Sequence, residues 1–322
     1  DMGFNDGNDE FFKQMDYLTP HLLRVLQPGR IACIHVKDRV LSGYKGGTCF
    51  QTVVPFSDLS VLHYIKHGFK YCGRITVDTD VVQENNKSYR LGYTEMCKDG
   101  TKMSVGCPEY ILIFRKEPSD KSDAYADVPV VKSKDEYSLA RWQIDAHGTW
   151  NSSGDRLLCY DDVRNLGLDG IREYFKKYAA EHIYNYEQHV EFGETLGAAG
   201  RLSKESFVLA PVSHRDDIWD LNSYRRMNTL NTKQAKKDRQ VHICPLPIDL
   251  VNRCIERWSN KGDVVFDPYG GIGTVPYCAI KLGRRGLATE LNYDYWRDGL
   301  TYLREAEMEK TSPTLFDLFD CA

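Results

Sequence analysis

Apolar side chains at Phe11, Phe12, Met15, Leu18, Leu22, Leu23 and Leu26 recur at the intervals that line one face of a helix. Gln27-Pro28-Gly29 breaks that pattern, so the spacing predicts a helix that begins near Asp9 and ends at Leu26. The apolar run from Ile31 to Val36 reads as a buried strand. A short helix is predicted from Val61 to Lys66, behind Pro55 and a Ser57 cap, and a β-branched strand from Tyr71 to Val77. Glu109-Tyr110-Ile111-Leu112-Ile113-Phe114 makes a third strand. The same texture returns from Val241, with helices predicted over residues 249–258, 272–282 and 293–307 and strands over 264–266 and 286–289. Strand alternating with helix predicts an α/β fold with a doubly wound, mostly parallel sheet covered on both faces.

Between residues 117 and 240 the alternation stops. The stretch is charged and rich in Ser and Asp, then tyrosine-rich and helical in pattern from Val163 to about Gln188, then polar with Gly193, Gly197 and Gly200. It reads as a separate, mainly helical insertion. Within it Arg225, Arg226, Lys233, Lys236, Lys237 and Arg239 form a basic cluster. A solvated linker is the plain alternative. The chain as a whole carries a net charge of −4, so a nucleic-acid site has to be a local patch of this kind.

Composition narrows the class further. The 322 residues are 42% hydrophobic and 27% charged, which excludes a disordered or fibrous chain. No apolar run approaches the roughly twenty residues of a membrane helix. The ten cysteines include no C-x-x-C pair, which argues against a zinc ribbon or a disulfide scaffold and for a reduced, cytoplasmic setting. No metal site is expected.

The segment with the most chemical information is Asp267-Pro268-Tyr269-Gly270-Gly271-Ile272-Gly273-Thr274, between a predicted strand and a predicted helix. Glycines there allow a tight turn and close approach to a ligand, and free amides at the helix start favour an anionic group. Glu290, at the end of the next predicted strand, suits both hydroxyls of a ribose. The loop has no G-K-[ST] and does not follow G-x-G-x-x-G, which disfavours a nucleoside triphosphate or a dinucleotide. An acid at the head of the loop repels a pyrophosphate and pairs with an ammonium group. S-adenosylmethionine offers that group and a ribose together.

His242-Ile243-Cys244-Pro245-Leu246-Pro247, the stretch from Asp263 to Thr274, Arg284-Arg285-Gly286 and Glu290-Leu291-Asn292-Tyr293 together resemble the C-terminal part of the S-adenosylmethionine-dependent DNA amino-methyltransferases of the permuted β order. Leu26-Gln27-Pro28-Gly29-Arg30, His35-Val36-Lys37-Asp38 and Gly106-Cys107-Pro108-Glu109-Tyr110 resemble phage-type members of that group. The resemblance implies a circularly permuted methyltransferase domain: a catalytic half at 1–116, an inserted target-recognition region at 117–240, a cofactor-binding half at 241–310 and a tail at 311–322. The brevity of the chain after the loop agrees with it, since 48 residues beyond Thr274 are too few to complete a doubly wound sheet.

By the same resemblance Asp267, Tyr269, Gly270, Gly273 and Thr274 hold the methionine part of the cofactor, Glu290 holds the ribose, and His242 with Pro245 closes over it. For His242 a capped turn before a helix is the equal alternative. His35, Lys37 and Asp38 follow the end of a buried strand, where ligands bind in open α/β sheets, and would line the target-base pocket; structural or solvated roles are the alternative for all three. The implied partner is double-stranded DNA with the target base flipped out, adenine or cytosine being methylated on its exocyclic amine. The basic cluster would contact phosphates. A homodimer is a further expectation, as is a sliding-clamp contact through the tail motif Leu315-Phe316-Asp317-Leu318-Phe319.

One departure stands out. The family's catalytic tetrapeptide, an Asp, Asn or Ser followed by Pro-Pro and an aromatic, is absent, and no Pro-Pro pair occurs in the 322 residues. An N-terminal piece carrying it is expected before Asp1. Two alternatives stay open: a non-catalytic subunit that binds DNA or a partner, and an RNA amino-methyltransferase.

Overall fold

The computed structural model describes residues 7–78, 91–134 and 245–311, with short pieces at 165–167, 170, 218–220 and 229–231. Helix α1 (Asn8–Val25) leads into β1 (Ile31–Lys37), and a small hairpin of β2 (Arg39–Leu41) and β3 (Thr52–Val54) around α2 (Gly43–Gly46) precedes α3 (Phe56–Lys66). Strand β4 (Lys70–Asp78), α4 (Tyr93–Lys98) and β5 (Glu109–Arg115) complete the first half, with β6 (Ile218–Asp220) joining from the insertion. The C-terminal half runs α5 (Ile248–Trp258), β7 (Val264–Asp267), α6 (Thr274–Lys281), β8 (Arg285–Ala288) and α7 (Tyr293–Thr311).

Four strands form one sheet in the order β1-β5-β4-β6, and β7 pairs with β8 in a second. β5 runs antiparallel to both of its neighbours, which corrects the expectation of a mostly parallel sheet in this half. The β4–β6 and β7–β8 pairs are parallel. The chain from β4 to β5 carries a helix, as a crossover between parallel strands would, yet it brings β5 back in the opposite direction. Since β1 and β4 both oppose β5, they share one direction across it.

Alternation at period two decides what each strand buries. Ile111 and Ile113 of β5 point to one face, where they meet Ile75, Val77, Ile31 and Cys33 beneath Leu250, Cys254 and Trp258 of α5. Leu112 and Phe114 point to the other, into a cluster with Met15, Leu18 and Leu22 of α1 and Val61 and Tyr64 of α3. A central strand covered on both sides needs an unbroken apolar run, and that is what residues 110–114 supply.

Helix α5 uses two stripes. Leu250, Cys254 and Trp258, four residues apart, face the first sheet, while Val251 and Ile255 pack with Val265, Cys278 and Ala279 of the second unit. A buried ion pair between Arg30, before β1, and Asp263, before β7, joins the same two parts at their edge. Arg30 also donates to the Val128 carbonyl at 3.1 Å.

Smaller differences have local causes. Helix α3 starts five residues earlier than predicted, and its first-turn amide at Ser57 donates to Asp38 Oδ1 at 2.8 Å, so the cap comes from beyond β1 rather than from Ser57. The β2–β3 hairpin and α4 are too short to show a period. The tyrosine-rich stretch 163–188 lies almost wholly outside the described residues, as do the basic cluster and the tail motif. Among the described residues no helix is long and apolar enough to cross a membrane.

Candidate cofactor site

Asp267 ends β7 and is paired across to Ala288, the last residue of β8. The ladder continues one step further, with the Thr289 amide donating to the Asp267 carbonyl at 3.1 Å, so Glu290 emerges beside the loop that follows β7. Two adjacent parallel strands thus deliver one acid each to the same sheet edge, where open α/β sheets bind ligands.

The loop is held by its own backbone and by those acids. Asp267 Oδ1 accepts from the Tyr269 amide at 2.9 Å, an Asx-type turn that starts the bend. The Gly270 amide donates to the Thr289 carbonyl at 2.8 Å and the Gly273 amide to the Gly270 carbonyl at 2.7 Å. Glu290 accepts from the Gly271 amide through Oε2 at 2.8 Å and from the Asn292 amide through Oε1 at 2.7 Å, leaving a further acceptor position on each oxygen. Some amides that the sequence leaves for an anionic ligand are therefore already in use, and the loop's ligand chemistry rests chiefly on its carboxylates.

Two glycines are required by this geometry. At Gly270 a Cβ would lie 2.8 Å from the Ala288 Cβ, so any side chain would force β8 and the loop apart. Gly273 has φ +83°, in the left-handed region, and a Cβ there would stand 3.3 Å from the Gly299 Cα of α7. Gly299 is a site residue the sequence reading passed over, although a glycine inside a helical pattern is itself a sign of close packing.

Electrostatics single out the same place. Burial raises the Asp267 carboxyl above its ordinary range and the nearby Glu290 charge raises it further, against the lowering effect of the Tyr269 amide. Among the described residues no cation pairs with either acid. Partial burial and the Asp267 charge push the Tyr269 hydroxyl up to about 12, so it remains a hydrogen-bond donor at neutral pH. That hydroxyl donates to the Met15 sulfur at 3.0 Å and ties α1 to the loop. Thr274 and Ile272, at the end of the loop, are buried.

The remaining predicted residues are distributed more widely. His35 Nε2 lies 2.9 Å from Glu109 Oε2, and Lys37 Nζ lies 3.8 Å from Oε1 of the same carboxylate, a cross-strand cluster between β1 and β5. Asp38 caps α3, as described above. Pro245 is half-buried ahead of Leu246, which packs against the cluster of Val251, Ile255, Cys278 and Ala279. His242 and all six residues of the basic cluster fall outside the described residues. Leu230, from the insertion, is buried against Ile272 and Tyr295, and the Tyr302 hydroxyl donates to the Asn231 carbonyl at 2.5 Å. This contact was missed because three residues in a polar stretch carry no periodic signal.

Comparison with known proteins gives this arrangement a family. A model described as DNA methylase, of the N6 and N4 methyltransferase type, matches residues 3–300. The chain belongs to that family. It is similar to the type II methyltransferase M1.MboII of Moraxella bovis, 34% identical over 92 residues that make up 29% of this chain and 34% of that protein. It is also similar to the orphan methyltransferase M.BamHII of Bacillus amyloliquefaciens, 30% identical over 114 residues, 35% of this chain and 41% of that protein. The chain thus spans about a third to two-fifths of the length of these curated relatives. Among solved structures, the putative DNA modification methylase TTHA0409 of Thermus thermophilus, complexed with S-adenosyl-L-methionine, matches with a TM-score of 0.51 at 18% identity over 92% of this chain and 79% of that one. That match supports the α/β methylase fold.

Proposed function

We propose that this protein is a DNA amino-methyltransferase that takes its methyl group from S-adenosylmethionine and delivers it to the exocyclic nitrogen of adenine or cytosine in a flipped base of double-stranded DNA. The observation that carries the reading is the pair of carboxylates, Asp267 and Glu290, set at the ends of adjacent parallel strands on either side of a glycine turn with no basic residue. This donor set fits the ligand. A carboxylate beside the loop pairs with the ammonium group, and the remaining acceptor positions of Glu290 suit the ribose hydroxyls. Gly270 and Gly273 keep the turn flat enough for close approach, and Tyr269 offers an aromatic wall.

When bound, the cofactor supplies a methyl group activated on a sulfonium centre. The protein's part is to hold it at the sheet edge and bring the target nitrogen into line, and orientation of this kind supplies much of the acceleration. His35, Lys37 and Asp38, at the C-terminal end of β1, are the proposed wall of the base pocket; their contacts to Glu109 and to α3 fix that wall. His242 and Pro245 are assigned to the segment that closes over the cofactor, and the cluster from Arg225 to Arg239 to phosphate contacts within a target-recognition insertion. The permuted order follows, with the catalytic half at 1–116 and the cofactor half at 241–310.

A second reading, a cofactor-binding subunit without its own catalysis, is favoured by the lack of a Pro-Pro pair in these residues. Transfer of labelled methyl from S-adenosylmethionine to double-stranded DNA by the purified protein decides between the two. Incorporation into an exocyclic amine, lost in Glu290→Ala, is expected. Cofactor binding without incorporation into any DNA, in a mixture of random sequences, would give the second reading its support.

A further inference from the structure

Helices α1 and α3 bring three metal-ligating side chains together on the side of the first sheet away from α5. His63 and His67 are four residues apart and so project from the same face of α3 and its C-terminal cap. Asp16 of α1 reaches between them. Its Oδ1 lies 2.6 Å from His67 Nε2 and 3.6 Å from His63 Nδ1, and the three ligand atoms all lie within 4.8 Å of one another. Ligand atoms around a tetrahedral zinc ion stand about 3.3 Å apart, given bonds of about 2.0–2.1 Å, so these distances bracket what a metal requires.

The surroundings favour ligation as well. His63 is buried, and its Nε2 lies 2.8 Å from the hydroxyl of Thr19, which is fully buried. When Nε2 donates to that hydroxyl, Nδ1 carries the lone pair and faces Asp16. A hydrogen bond on the distal ring nitrogen is the usual way a ligating histidine is fixed in tautomer and orientation. The ion pair on Asp16 is displaceable: Lys66 Nζ sits 3.1 Å from Oδ1, but its side chain is 65% exposed and free to swing into solvent.

We propose that Asp16, His63 and His67 form a binding site for a divalent transition-metal ion, zinc in type, with water filling the remaining position and α1 clamped to α3. Two imidazoles and a carboxylate suit zinc and its neighbours rather than calcium or magnesium. The site is separate from the cofactor loop, although Met15, the residue before Asp16, meets Tyr269. The His63-x-x-x-His67 spacing was visible in the sequence, but its carboxylate comes from another helix.

Cobalt(II) chloride titrated into the metal-free protein tests this by visible absorption. One equivalent should give the bands of a tetrahedral site without the near-ultraviolet thiolate transition that exposed Cys49, Cys72 or Cys97 would produce, and zinc should displace it. His67→Ala should abolish the bands, and Asp16→Asn should weaken zinc binding about tenfold or more in a calorimetric titration. Circular dichroism establishes that each variant is folded, and Asp16, being partly exposed, is the substitution least able to disturb the core. A folded protein that takes up no cobalt, a spectrum carrying thiolate transitions, or binding unchanged in both variants would overturn the proposal.

Discussion

The two halves of this molecule stabilise themselves by different means. Around β5, stability comes from apolar burial: Leu112 and Phe114 are completely buried, and helices cover the sheet from both sides. Around β7 and β8 a smaller apolar cluster with Cys278 and Ala279 sits under α5, side chains such as Val264 and Leu287 are more than half exposed, and the loop edge is organised by turn geometry, carboxylates and glycines. A packed sheet supplies the rigid frame, and the lightly built edge beside it carries the ligand chemistry. Sites of this kind keep like charges close together at a cost in stability.

The contrast predicts that substitutions in the first half cost mainly stability and those at the loop cost mainly cofactor affinity. Phe114→Ala removes a fully buried ring and should cost about 3–5 kcal/mol, read as a lower urea midpoint. A loss under about 1 kcal/mol would mean that the first sheet is not the frame. Arg30→Ala leaves the half-buried Asp263 carboxylate with the Asn260 amide but without its cationic partner and should cost about 3 kcal/mol, with Asp263→Asn in the same background recovering part of it. Gly273→Ala forces a side chain into a left-handed conformation against Gly299 and should cost about 1–2 kcal/mol. Its cofactor affinity should fall by more than its stability does, as titration of the folded variant would reveal.

The smallest effect belongs to pH. The folded state raises the Asp267 carboxyl, so this group stabilises the unliganded protein below its unfolded pKa, and that contribution is lost as pH rises through the raised folded value. The ionised form created by that rise is the one that pairs with an ammonium group. Unliganded stability should therefore drift down, and cofactor affinity drift up, across the acidic range. Both slopes should flatten in Asp267→Asn, and an unchanged affinity profile in that variant would remove Asp267 from cofactor binding.

Much of this was legible in the sequence, for reasons that also explain what was not. The run from Tyr110 to Phe114 announced a strand buried on both faces, and the Gly-rich loop with an acid on each flank announced the candidate site. Strand direction was not legible, because parallel and antiparallel strands share the same period of two. Long-range partners were hidden too. The Asp38 cap on α3, the Gly299 contact to the loop and the Met15 contact to Tyr269 each join positions that no local pattern relates.

The most direct test is a calorimetric titration of the folded chain with S-adenosylmethionine and with its demethylated product, repeated with Asp267→Ala and Glu290→Ala. The account predicts one site per chain for both ligands and at least about a tenfold loss in each variant, measured at a temperature where each variant is folded, since losing the acceptors of the loop amides also lowers thermal stability. Equal binding by the wild type and both variants would contradict it, because the two carboxylates would then have no part in holding the cofactor.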